Sequence, residues 1–275
     1  MFIDRPRRLL RTPKGALMAV FAVLLGVAGS ATGWPLVLPH VLTAIVAACG
    51  TELLAGVLLR RRPSWPTSAL LSGAIVAFVL APETPLVVTA FVGVLATASK
   101  HLVATSRGHV FNPAALALLV SIPLFSTGQS WWGAGGDIAW PFLILVIAGG
   151  ALIVDRINKF PLVLTFTAVY FGAFTLVSLS EPAAVAEMFR APFIQAAIFL
   201  SLYMLTDPPT SPSRYVDQVW VGALAAVVAC AGQLLGAGQA YLLLGVLVGN
   251  AALAVHRSLR TAGARPRLNK SIINT

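Results

Sequence analysis

Charge is what this sequence most conspicuously lacks. Of its 275 residues only 10% are Asp, Glu, Lys or Arg, where a soluble domain carries roughly a quarter. It has nine acidic residues, two cysteines and four histidines. The thin acidic set leaves few candidates for paired-carboxylate chemistry. Cys49 and Cys230 stand alone in apolar runs, which excludes a disulfide framework and any CxxC or His/Cys zinc spacing; both read as small buried hydrophobes. There is no P-loop, no HExxH and no Ser/His/Asp set in a supporting context. No catalytic or metal-ligating set is expected, and at most a redox subunit of a larger complex.

What is abundant is apolar length. Hydrophobic residues make up 58% of the chain and the mean hydropathy is +0.87. A bilayer core takes about 20 apolar residues per helix. Cut at Pro, Gly and charge clusters, the runs predict about ten transmembrane segments: 15–33, 36–59, 67–81, 84–99, 111–126, 138–154, 160–179, 191–206, 217–235 and 239–256. The fold class expected is therefore an all-α polytopic membrane protein. It divides into a basic N-tail over 1–14, one transmembrane domain over 15–257 and a basic C-tail over 258–275. The basic MFIDRPRRLLRTPK start resembles a signal peptide, but no small-x-small cleavage site leads into a polar chain, so it reads as a cytoplasmic flank.

The net charge of +10 suggests nucleic acid until the charges are placed. With the N-terminus inside and every segment crossing, 18 of the 19 basic residues fall on the inner side; only Arg190 falls outside. Basic residues are retained in cytoplasmic loops. The charge thus reads as a topology signal with anionic lipid heads as its partner. No nucleic-acid partner is expected. The localisation implied is a bacterial-type inner (plasma) membrane, with both termini cytoplasmic.

Ten segments split as five plus five, and an odd number per half makes the second half inverted. Weak echoes recur at an offset of about 130: Arg61-Arg62-Pro63 with Arg190-Ala191-Pro192, Gly108-His109-Val110-Phe111 with Gly238-Gln239-Ala240-Tyr241, and the Pro-rich acidic breaks at 81–85 and 206–212. Two inverted five-helix repeats, roughly 15–130 and 138–257, are predicted. Paired breaks point to a binding site at the repeat interface, where free helix N-termini suit a carboxylate, a phosphate or a flavin's polar edge.

Two loops carry the polar chemistry. SKHLVATSRGHVFNPAAL holds Lys100, His101, Arg107 and His109, with Asn112 and Pro113 at a helix start; Asn caps and Pro suits the first turn. LTDPPTSPSRYVDQ holds Asp207, Thr210, Ser211 and Arg214. Each reads equally as plain loop plus cap, or stiff turn, and as part of a site. Glu52 and Asn250 lie inside segments two and ten; the first is a candidate site or a snorkelling carboxylate, the second an interhelical hydrogen-bonding amide. Trp131, Trp132 and Trp140 form either an interfacial belt or a wall for a planar cofactor.

The stretches SKHL…GHVFNPAAL, LTDPPTSP and YLLLGVLVGN resemble three signatures of the NqrB/RnfD family, the membrane subunits of the sodium-pumping NADH:quinone reductase and of the Rnf electron-transport complex. The resemblance covers roughly residues 15 to 257. Aquaporins share a similar Asn-Pro-Ala stretch but need a second one, absent here. The resemblance implies a ten-helix inverted-repeat fold similar to that of urea transporters, an electron-carrying role beside other membrane subunits, and flavin. Family members attach FMN to the Thr of a Ser-Gly-Ala-Thr motif; here the matching loop puts Gly135 at that place, and glycine has no hydroxyl to esterify. Covalent FMN is therefore not expected, and noncovalent FMN or riboflavin is. The residues expected to surround it are Lys100, His109, Asn112, Asp207, Thr210 and Ser211, with Trp131 or Trp132 stacking on the outer side. The alternative is a small-solute or ion transporter, or an accessory membrane protein, on the same fold, such as the flavinless relatives beside enediyne-type pathways.

Overall fold

Nearly every apolar run folds as a helix, because a backbone with no water to bond must satisfy itself within its own segment. The computed structural model describes residues 12–60, 65–105, 108–136 and 140–263. In chain order the helices are α1 (Pro13–Thr32), α2 (Trp34–Leu58), α3 (Thr67–Val79), α4 (Leu86–Leu102), α5 (Pro113–Phe125), α6 (Trp140–Ile157), α7 (Phe160–Ser178), α8 (Ala191–Phe199), α9 (Tyr215–Leu234) and α10 (Tyr241–Gly263). A π-helical stretch, Leu200–Met204, prolongs α8, and a four-residue helix, Pro182–Val185, precedes it. The two-residue strands Ala104–Thr105 and Gly108–His109 pair into a small hairpin before α5.

Each of these ten helices overlays one predicted segment, and the chain is an all-helical multi-pass membrane protein by the length and hydropathy of its helices. Six of them are long and apolar enough to cross a bilayer; the pair Pro182–Phe189 and Ala191–Met204, bent by 65° at its break, has the length and hydropathy for a broken span or a re-entrant loop. Three others fall short of the 18 residues that those six reach. Helices α3 and α5 have 13 residues each and α4 has 17. At 1.5 Å per residue, 13 residues reach about 20 Å of a core about 30 Å thick.

At the end of α3 neighbouring backbone replaces the missing turns. After α3, Ala81 N–H donates to the Gly128 carbonyl (3.0 Å) and Trp131 N–H donates to the Val79 carbonyl (3.1 Å). A chain segment beyond α5 thereby closes the end of α3 inside protein, the only setting in which irregular backbone survives at membrane depth.

Small residues set the tight packing. A Cβ on Gly93 of α4 would sit 2.8 Å from the Ala44 carbonyl of α2, and one on Gly222 of α9 would sit 2.6 Å from the Leu162 carbonyl of α7. Such close approach is how helices associate where lipid removes the hydrophobic drive. Aromatic rings fill the middle: Phe21 lies 5.4 Å from Phe78 and 5.4 Å from Tyr203, and Phe199 lies 4.9 Å from Tyr203. The tails at 1–11 and 264–275 lie outside the described residues, as do Arg61, Arg62, Pro63, Arg107 and Asp137.

Candidate functional site

The charged side chains gather at one end of the bundle. Lys14 and Asp207 line the same cavity, and Arg214, Arg257 and Arg260 line a groove beside it. This basic end carries the α4–α5 loop, the α6–α7 loop and the break after α8. Arg190, at the start of α8, ion-pairs with Glu187 at 2.8 Å.

Asn112 is the knot of the site. Its side-chain oxygen accepts from the Ala115 N–H (3.0 Å) and caps α5, while its amide donates to the Met204 carbonyl at the end of α8 (2.9 Å). Its backbone N–H donates to Asn250 Oδ1 in α10 (2.9 Å), and the Asn250 amide donates to the Thr210 carbonyl (3.2 Å). Both asparagines are buried, and apart from the local cap their bonds tie the start of α5 to the end of α8, to α10 and to the 206–212 loop. The bland reading of Asn250 as an interhelical hydrogen-bonding group therefore holds; its partner is the other asparagine.

Asp207 joins the two polar loops. Its Oδ2 lies 3.2 Å from His109 Nε2 and accepts from Thr210 Oγ1 (3.1 Å). The loop beyond folds onto its own backbone: Thr210 N–H and Ser211 N–H both donate to the Asp207 carbonyl (3.1 and 2.9 Å), and Ser211 Oγ donates to the Thr206 carbonyl (3.3 Å). Two cations clamp the loop from outside. Arg257 donates to the carbonyls of Pro209 (3.3 Å) and Ser211 (2.9 Å), and the buried Lys159 ammonium donates to the Pro212 carbonyl. Burial, with the charge of Arg257 adding to it, lowers the Lys159 pKa to about 8. Neither clamp is marked in the sequence by anything but a basic residue near a helix end.

A cavity of about 240 Å³ opens between the start of α5 and the end of α8. Leu71, Ile75, Ile153, Ile157 and Leu202 form apolar walls, and His109, Asn112, Thr206 and Asp207 form one polar corner. Ser68, Ser72 and Lys14 supply further polar groups, which the sequence did not single out. Of the expected site residues, His109, Asn112 and Asp207 line this cavity. Thr210 lines a second cavity of about 260 Å³ across the His109–Asp207 pair, with Asn250 and Arg257. Lys100 donates to Ser68 Oγ (3.1 Å) and so braces a cavity residue from behind. Ser211 is buried in its loop and lines neither cavity. Glu52 stands 3.4 Å from His101, away from the knot.

Trp131 and Trp132 lie at the opposite end of α3, about 20 Å from its start by helix rise. Trp132 Nε1 donates to the Ala77 carbonyl (2.6 Å) and its ring meets Phe78 edge-on at 5.4 Å. Both rings are buried. Neither is among the residues that line the cavity beside Asn112. Gly135 also has no room for a hydroxyl-bearing side chain: its φ is +113°, and a Cβ there would sit 2.2 Å from Gln195 Oε1 and 2.4 Å from Phe142. Thr127, earlier in the same loop, is buried and bonded to Ser121 at 2.7 Å. Among the described residues no three His, Cys, Asp or Glu side chains converge on a metal site.

Neither a known protein-family model nor a curated protein matches this chain.

Proposed function

We propose that the chain is a membrane subunit of an NqrB/RnfD-like electron-transport system, and that it binds a flavin noncovalently in the cavity at the basic end. One observation carries the reading: a largely apolar cavity, formed where the start of α5 meets the end of α8, with a polar corner of His109, Asn112, Thr206 and Asp207 and a few further polar groups at Ser68, Ser72 and Lys14. A flavin has that division, an apolar ring system with one hydrogen-bonding edge. The volume lies just under the roughly 300–1,000 Å³ of drug-sized ligand sites, which suits a ring seated inside with its tail at the mouth and rules out a dinucleotide.

When bound, a flavin supplies one- and two-electron redox chemistry. The chain's own residues do the rest. The apolar walls exclude water; the His109 ring nitrogen not facing Asp207 would hydrogen-bond the ring's polar edge, while Thr206 Oγ1, whose proton goes to the Leu202 carbonyl, would only accept; Lys14 lines the cavity and would meet the phosphate of FMN. Asn112 does not contact the ligand through free donors, since its amide is committed to Met204 and its oxygen to Ala115. It holds the corner in place.

Two inverted five-helix repeats belong to the same reading. The supporting features are the one-to-one order of ten helices and the tight glycine approaches at Gly93 and Gly222, the same offset apart as the sequence echoes. The basic end is then cytoplasmic in a bacterial-type plasma membrane, and other membrane subunits are the electron-transfer partners.

The test is an absorbance and fluorescence spectrum of the purified protein, before and after acid. Yellow colour released by acid is the expected result. Colourless protein that also fails to quench added riboflavin or FMN overturns it. The transporter reading keeps one specific support: a layer of Phe21, Phe78, Phe199 and Tyr203 separates the cavity from clefts at the far end. Solute flux in liposomes lacking any flavin would favour it.

A further inference from the structure

A groove of about 460 Å³ lies on the far side of the 206–212 loop from the flavin cavity, between the start of α9 and the last turns of α10. Three guanidiniums line it, those of Arg214, Arg257 and Arg260, together with His256, against the single carboxylate of Asp217. With His256 neutral, the groove holds a surplus of two positive charges. Arg257 is committed to the loop carbonyls, so the surplus acts through Arg214 and Arg260.

Arg214 forms no ion pair with any described residue. Arg260 is held only loosely by Asp217, at 3.8 Å. His256 Nε2 stands 3.6 Å from the same carboxylate and makes no hydrogen bond. Asp217 is itself engaged, accepting from Trp220 Nε1 at 3.2 Å. The 20-residue helix α9 starts here with Arg214 at its N-cap and no side-chain cap. The N-cap Arg214 and the first-turn Asp217 both line the groove, so the positive end of the α9 dipole lies beside the guanidiniums. Helix N-terminus and arginine forks are the two devices that bind phosphate oxygens. Beside them α9 exposes Tyr215, Val216 and Val219, and α10 exposes Val255 and Leu259. An apolar flank under a basic groove fits a molecule with a phosphate head and an acyl tail.

We propose that this groove is a phosphate-binding site whose ligand is the headgroup of an anionic phospholipid, gripped by Arg214 and Arg260 at the N-terminus of α9. It is independent of the flavin reading, since it shares no lining residue with the cavity beside Asn112.

Native mass spectrometry of the detergent-purified full chain tests it, titrated separately with phosphatidylglycerol, phosphatidylcholine and inorganic phosphate. Phosphatidylglycerol should bind at least tenfold better than phosphatidylcholine. The R214Q/R260Q pair should lose at least tenfold of that binding, as expected when two charge-assisted contacts are removed. The R265Q/R267Q pair, which removes the same charge from the C-tail, should change it less than twofold. If the Gln pair does not fold, R214K/R260K keeps the charge but removes the planar fork, and should still lose about threefold. Inorganic phosphate that binds and competes, with no preference between lipids, keeps the phosphate site and makes its source a soluble anion. Equal losses in the groove and tail variants, or no loss in the groove variants, overturn the proposal.

Discussion

Replacing Asn112 with Ala removes two bonds at once from the junction between α5 and α8. The backbone N–H to Asn250 survives, because it belongs to the main chain. The lost cap on Ala115 is worth about 1 kcal/mol. The Met204 carbonyl loses its short bond and keeps only the long one from the Asp207 N–H (3.4 Å), which costs about 1 kcal/mol more. The expected destabilisation is therefore about 2 kcal/mol. Asn112→Ser separates the two terms: serine caps as well as asparagine but does not reach Met204, so it should recover about 1 kcal/mol. The assay is reversible unfolding in mixed detergent–SDS micelles, followed by tryptophan fluorescence, with flavin retention measured alongside. If Asn112→Ala unfolds within about 0.5 kcal/mol of wild type, the shift expected of an ordinary surface substitution, the junction is not held by this residue and the reasoning fails. Loss of stability with no recovery by serine would instead assign the whole effect to the Met204 bond.

Three further outcomes are expected. Gly135→Thr should fold poorly, losing at least about 3 kcal/mol from the clash with Gln195 and Phe142 at a positive φ, and should show no in-gel flavin fluorescence; a well-folded variant carrying covalent flavin would contradict the closed geometry. Gly93→Ala and Gly222→Ala should each lower the thermal midpoint, by similar amounts, because each drives a Cβ into a carbonyl of the neighbouring helix; melting curves of the two variants check whether the halves respond alike. For Lys159 the folded pKa of about 8 lies below the ordinary lysine value of 10.5, so the unfolded chain binds the extra proton between those values. Stability should rise from pH 8 to 10.5 by up to about 3 kcal/mol, or roughly 2 once the nearby solvent is allowed for. In Lys159→Met the same pH titration of the unfolding midpoint should be flatter across that window.

Hydropathy and proline were enough to read the ten helices, because a segment in lipid is forced to be helical and its ends are forced to be polar or broken. The Asn-Pro start of α5 was likewise legible: an asparagine before a proline at the head of an apolar run is a cap, and Asn112 is one. Length along the membrane was not. An apolar run of 13 residues reads as a short span, but whether its end meets lipid or another backbone depends on residues far away in the chain, here Gly128 and Trp131 beside α3. The site divided in the same way. Local sequence marked His109, Asn112 and Asp207, since polar groups are rare in such a chain and need partners. It could not say that Asn250 would be the partner of Asn112, that Ser211 would turn inward, or that Trp131 and Trp132 would lie at the other end. Those are matters of which helix faces which, and only the tertiary packing, with close approach at Gly93 and Gly222 and two cations clamping one loop, decides them.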